Sequence, residues 1–274
     1  MKLNHIRYGT GEPLLLIHGI GGSWRSWIPV LDRLAAHREV IAIDLPGHGK
    51  TPVPEGPTTI ATLCDAVADF VQRNGLTGID AVGSSMGARL VLELARRGGV
   101  LGAVVSLDPG GFWEGAQVPF FYYTLAASIR LVRFLKPVLP FLTRNAVTRS
   151  LLLAQFSPRP WHVAPQLALT ELRSFASCPV FDELLYNLAY GEKQKGAPRG
   201  SITAPLVIGW GRNDKVCFPS QAAKALRLFP DAHVYWFEHC GHFPHWDKPA
   251  ETASLILRSV DKPKAAEVKE EPLW

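Results

Sequence analysis

The segment Gly83-Ser84-Ser85-Met86-Gly87 constrains the chain more than any other. An apolar run ending at Val82 precedes it. Met86, Leu90, Val91 and Leu94 then recur at helical spacing, with Arg89, Glu93, Arg96 and Arg97 between them as the expected polar face. A strand must therefore reverse into a helix within five residues. Such a turn forces its central residue, Ser85, into a strained backbone conformation and pushes its side chain outward. Small residues two places before and after let strand and helix approach. The same letters also suit a plain Gly/Ser connection, so the rest of the chain decides between the two.

Similar strand and helix alternation runs on both sides. Apolar runs predict strands at Leu3–Tyr8, Pro13–Ile17, Val40–Ile43, Val104–Leu107, Pro205–Trp210 and His233–Phe237. Amphipathic patterns predict helices at Trp24–Ala36, Thr58–Asn74, Ser220–Phe229 and Pro249–Val260. Continuous apolar strands are buried on both faces. The expected fold is α/β, a mostly parallel central sheet with helices on both faces.

Function in such sheets gathers at the carboxyl ends of the strands. Four candidates fall there: Ile20, in the His18-Gly19-Ile20-Gly21-Gly22 loop, then Ser85, Asp214 and His242. The glycine loop lacks both the dinucleotide fingerprint and the Lys-Ser/Thr of a phosphate loop. Its free N–H groups fit an oxyanion better. His18 reads as a hydrogen-bonded structural histidine, and Asp44 and His48 as anchors of a Pro/Gly-rich loop. Asp108 also ends a strand and is the rival acid. Ser84 sits off the centre of its turn, and His239 and His245 flank His242. Trp24, Trp113 and His245 are candidate pocket residues.

Residues 112–200 break the rhythm. Frequent prolines predict short helices rather than strands, so this segment reads as an inserted helical cap over a core of residues 1–111 and 201–260. The tail, 261–274, is rich in Lys and Glu and is expected to be disordered. Residues 112–200 hold ten basic and five acidic side chains, against nineteen of each elsewhere, and so carry the whole net charge of +5. Spread-out basic residues without a nucleic-acid motif read as a solvated helix face. No apolar run reaches membrane-span length and residues 1–5 form no signal-peptide core, so the expectation is a cytoplasmic protein without a membrane span. Cys64, Cys178, Cys217 and Cys240 are too scattered for a zinc site or disulfide framework and are expected to be reduced.

Taken together, His18-Gly19, Asp44-Leu45-Pro46-Gly47-His48-Gly49, Gly83-Ser84-Ser85-Met86-Gly87, Gly211-Arg212-Asn213-Asp214, and Gly241-His242-Phe243 with Pro249 resemble the α/β-hydrolase superfamily. The likeness is to its capped bacterial esterases and haloperoxidase-type hydrolases. It covers residues 1–111 and 201–260. It implies Ser85 as nucleophile, His242 as base, Asp214 as orienting acid, and the N–H groups of Ile20 and Met86 as oxyanion hole, with no metal or organic cofactor. It implies a small to medium apolar ester as substrate partner. A serine at this turn excludes relatives that form an alkyl-enzyme ester on a carboxylate. Carbon–carbon hydrolysis of a vinylogous diketone is the alternative chemistry. A triad-containing ligand sensor that signals through its cap is the alternative of another class. Oligomeric state is left open.

Overall fold

The computed structural model describes residues 1–261. The expected disordered tail lies outside them, apart from Asp261. In chain order the elements are β1 (His5–Tyr8), β2 (Pro13–Ile17), α1 (Ile28–Ala35), β3 (Glu39–Ile43), α2 (Ile60–Arg73), β4 (Ile79–Ser84), α3 (Met86–Arg97) and β5 (Leu101–Leu107). Five helices follow: α4 (Gln117–Phe134), α5 (Leu139–Arg144), α6 (Ala146–Leu153), α7 (Pro165–Ser177) and α8 (Phe181–Tyr190). The chain then closes with β6 (Leu206–Gly211), α9 (Ala222–Leu228), β7 (His233–Phe237), α10 (Pro244–Asp247) and α11 (Pro249–Val260).

The strands form one sheet in the order β1-β3-β2-β4-β5-β6-β7. Only β1 runs antiparallel, on β3; the other pairings are parallel. Alternate residues feed two separate cores, as the period of two in a strand requires. Leu15, Ile17, Ile41, Ile43 and Ala81 pack with Leu63, Val67, Leu90 and Leu94 of α2 and α3. Leu14, Leu16, Val40, Ala42 and Val82 pack with Trp27, Val30, Leu34 and Ile256 around α1 and α11. Fully burying one such side chain contributes roughly 1.5–3 kcal/mol. Both faces are therefore covered, which explains why these strands read as unbroken apolar runs.

Expected and observed elements differ mainly at helix starts. Trp24–Ala36 divides into a short 3-10 turn, Trp24–Trp27, and α1. Pro29 sits in the first turn of α1, where its missing N–H leaves no helical bond unmade. Helix α2 begins at Ile60 because Thr59 forms a capping box with Thr62. Prolines also open α5, α7 and α11. Arg89 departs from the expected polar face of α3. It is buried, packs against Gly111, and Nη2 donates to the Glu192 carbonyl. The β5–β6 segment folds back over α3 and covers that face.

Candidate active site

Loops at the carboxyl ends of β2, β4, β5, β6 and β7 meet at one edge of the sheet. Ser85 lies between β4 and α3 with φ 57° and ψ −113°, a left-handed conformation that a serine adopts only under constraint. The constraint comes from close packing on both sides. A Cβ on Gly83 would collide with the Gly87 carbonyl, and a Cβ on Gly87 would collide with the Ile17 and His18 carbonyls. The turn thus fits only glycine at both positions.

His242, past the end of β7, joins the pieces. Its Nε2 lies 2.8 Å from Ser85 Oγ and its Nδ1 lies 2.9 Å from Asp214 Oδ2. An ionised carboxylate can only accept, so Nδ1 carries the proton and Nε2 accepts from the Ser85 hydroxyl. Asp214 is fixed in turn: its Oδ1 accepts from Val216 N at 2.7 Å and Cys217 N at 3.0 Å. His242 N donates to the Phe156 carbonyl at 2.8 Å, which ties the histidine loop to the segment after α6. All three side chains are buried.

Asp108, the rival acid, stands behind this line. Its Oδ1 accepts from Gly211 N at 2.8 Å, and it does not reach His242. Complete burial, with the Asp214 charge beside it, pushes the Asp108 carboxyl well above its usual range. Two buried carboxylates this close cannot both ionise easily. The Asp214 carboxylate, by contrast, takes three hydrogen bonds, from Val216 N, Cys217 N and His242 Nδ1.

Ile20 and Met86 both line the cavity beside Ser85. Their N–H groups donate to no acceptor in the surrounding backbone turns of the described residues. The Ile20 loop passes so close to Ser85 that a Cβ on Gly19 would lie 3.0 Å from Ser85 Cβ. His18 anchors that loop from behind. Its Nδ1–H donates to the Gly19 carbonyl at 2.7 Å, and its Nε2 accepts from Leu45 N at 3.0 Å. Burial lowers its pKa to about 4, so it stays neutral. Asp44 anchors the neighbouring loop through Asn4, Trp24 N and Lys50 N.

The cavity above Ser85 has a volume of about 40 Å³. Trp113 lines it, stacked on Phe121 at 3.8 Å with its Nε1–H donating to the Val216 carbonyl. Phe156, Phe175, Phe181 and Leu188 supply the wall opposite the sheet. Sequence reading did not single these four out, because nothing in a linear pattern separates helical residues that face a ligand from those that face their own core. A larger cleft of about 270 Å³ lies between the start of α2 and Lys193–Lys195, but it contains no nucleophile–base pair.

Two expected pocket residues lie elsewhere. Trp24 packs beside the α1 core under the Arg25 guanidinium, which sits 4.6 Å above its ring. Its backbone is held away from the cavity by Asp44. His245 is buried against the Trp27 ring, centroids 4.7 Å apart, because it points behind the His242 loop. Burial lowers its pKa to about 3 and keeps it neutral.

Asp214, Cys217 and His242 offer ligand atoms within 4.8 Å of one another. They suit a metal poorly. The Asp214 oxygens and His242 Nδ1 are already engaged, and burial beside two carboxyls pushes the Cys217 thiol up, so it keeps its proton. All four cysteines are free and buried.

Glu171 of α7 is a buried acid that only the structure reveals. It is buried against the loop leading from Ile20, and Ser26 Oγ donates to its Oε2 at 2.9 Å. Desolvation raises its pKa to about 8. The folded chain therefore keeps this proton up to about pH 8, whereas the unfolded chain releases it above about pH 4.5. Between these values the folded state binds the extra proton, and stability falls by about 1.4 kcal/mol per pH unit as pH rises. Asp108 and Asp247 slope the same way. The readout is thus the difference from Glu171→Gln. Urea unfolding from pH 5 to 8 should show a shallower decline in the variant, and parallel curves would refute the assignment.

A seven-stranded, mostly parallel sheet with a strained Ser turn at its carboxyl edge defines the class: an α/β-hydrolase fold. Residues 14–255 match the model of the "Alpha/beta hydrolase family", and the chain belongs to that family. It is 28% identical over 274 residues to the dihydrolipoyllysine-residue acetyltransferase component of an acetoin cleaving system from Cupriavidus necator, covering 95% of this chain and 67% of that longer relative. It is 27% identical to a 2-hydroxy-6-oxo-6-(2'-aminophenyl)hexa-2,4-dienoic acid hydrolase from Metapseudomonas resinovorans, over 97% of this chain and 91% of the relative. Among solved structures, a thermophilic esterase from Thermogutta terrifontis superposes with a TM-score of 0.73 at 19% identity, covering 94% of this chain and 92% of that one. At that identity the likeness speaks for the fold.

Proposed function

We propose that the protein is a serine carboxylesterase that cleaves a small to medium apolar ester through an acyl-enzyme on Ser85. The observation that carries this reading is His242 bridging Ser85 Oγ and Asp214 Oδ2 at 2.8 and 2.9 Å beneath an apolar cavity. Ser85 Oγ attacks the ester carbonyl while His242 Nε2 takes its proton. The carbonyl oxygen becomes an oxyanion that accepts from the N–H groups of Ile20 and Met86. The C–O bond to the alcohol breaks, and the alcohol leaves with the proton from His242. Water then attacks the acyl-enzyme, again losing a proton to His242, and the acid departs as Ser85 regains its hydrogen. Asp214 keeps Nδ1 protonated throughout and stabilises the imidazolium. The helices of residues 112–200 act as the cap that closes the cavity and sets acyl size.

A second reading, carbon–carbon bond hydrolysis, is favoured by the dienoic acid hydrolase relative. The cavity lining argues against it. Apart from His242 it offers no cationic side chain among the described residues, and a carboxylate buried without a partner is costly. A neutral ester meets no such penalty. Turnover of p-nitrophenyl acetate, butyrate and octanoate, measured beside a 2-hydroxy-6-oxo-dienoate, separates the two. The short esters are expected to give the highest kcat/KM, falling at octanoate, because Trp113, Phe156, Phe175 and Phe181 close in around Ser85. Faster cleavage of the dienoate would replace the ester reading with the carbon–carbon one.

A further inference from the structure

We propose that the outer face of α4–α6 is a docking surface for anionic lipid membranes. Leu131 and Phe134 at the end of α4, Val138 in the connection and Phe141 of α5 follow one another at spacings of three and four residues. All four are exposed, Phe134 by 81% and Phe141 by 75%. Val147 and Leu151, four residues apart on one side of α6, are exposed as well, Leu151 by 74%. Large apolar side chains gathered in this way mark an interaction site.

Charge identifies the partner. The stretch 115–170 contains no Asp or Glu, while it contains Arg130, Arg133, Lys136, Arg144, Arg149 and Arg159. Arg149 is spent internally, on the carbonyls of Thr143, Arg144 and Trp161, and Arg133 pairs with Asp182 at 2.7 Å. Arg130, Lys136 and Arg144 are exposed and have no ion-pair partner among the described residues. In sequence they are interspersed among the exposed apolar residues, Arg130 next to Leu131, Lys136 between Phe134 and Val138, and Arg144 between Phe141 and Val147. Apolar side chains to enter the acyl boundary, with cations beside them for the headgroups, are what an interfacial surface needs. A second copy of the chain fits less well, since a twofold contact would bring this positive face against itself. The face is not a span: no helix among the described residues is long and apolar enough to cross a membrane.

The solvated-face reading of the basic segment is thereby narrowed. Helix α4 also carries Phe121 and Leu125 into the cavity above Ser85, so one rigid element links the lipid-facing stripe to the site. Docking does not depend on which bond the site cleaves.

Co-sedimentation of the full chain with phosphatidylcholine vesicles, with and without phosphatidylglycerol, tests the proposal. Binding should be at least about tenfold tighter with phosphatidylglycerol and should weaken as salt screens the cations. Phe134→Asp with Phe141→Asp should reduce it by about tenfold or more, and Arg130→Ala with Lys136→Ala and Arg144→Ala should abolish the phosphatidylglycerol preference. All five positions are exposed, so unchanged circular dichroism and unchanged turnover of a soluble ester report an intact fold. No binding to either vesicle, or binding indifferent to the Asp variants, would overturn the proposal. A dimer in light scattering that the Asp variants dissolve would give the face to a second copy instead.

Discussion

Ser85→Ala is expected to lower kcat for ester hydrolysis by about 10⁴–10⁶ while leaving KM within a few-fold. The methyl side chain fits the same strained turn, so the Ile20 and Met86 N–H groups keep their places, and the apolar cavity still binds the ester. What is lost is the atom proposed to form the acyl bond. The residual rate is that of water attacking a carbonyl polarised by the remaining groups. Thermal stability should change little, because among the described residues Ser85 Oγ bonds to His242 alone. A Ser85→Ala enzyme that retained more than about one hundredth of the parent rate would remove Ser85 from the reaction.

Asp214→Asn is expected to lower kcat by about 10⁴. An amide can still meet His242 Nδ1, but it can also donate, and a donated bond fixes the tautomer whose Nε2 bears the proton. Such an imidazole cannot accept from Ser85. The amide also loses the charge proposed to stabilise the imidazolium. Asp108→Asn provides the contrast. Burial and the neighbouring Asp214 already push its carboxyl well above the usual range, and an amide oxygen can take over the bond from Gly211 N. Activity should stay within about tenfold of the parent. Comparable losses at both positions would mean that the two carboxyls act as one unit. A large loss at Asp108 alone would move the orienting role to it.

The core was legible because parallel strands covered on both faces leave unbroken apolar runs, as at Pro13–Ile17 and Val40–Ile43. The loop residues Ser85, Asp214 and His242 were legible because each follows such a run and shares its loop with glycine. Trp24 and His245 misled for a physical reason. A residue's position in a loop fixes its place in the chain, whereas its direction is set by neighbours such as Asp44 and Trp27, which are remote in sequence. Arg89 looked like a solvent-facing residue of α3 until the chain around Glu192 covered it. Glu171 was one acid among five in residues 112–200, and only tertiary packing against Ser26 makes it unusual. The cavity wall of Phe156, Phe175, Phe181 and Leu188 arises where α7, α8 and the segment after α6 converge, and no local pattern encodes that meeting.

The most direct test of the nucleophile is covalent. A fluorophosphonate places phosphorus where the ester carbonyl would sit, and the activated hydroxyl displaces fluoride. Intact-mass spectrometry of the treated protein should show a single phosphonate adduct, and peptide mapping should put it on Ser85 rather than Ser84. His242→Ala should slow the labelling strongly, because the hydroxyl then has no base at 2.8 Å. An unlabelled protein under conditions that label an ordinary serine esterase, or an adduct on any other residue, would contradict the proposed chemistry.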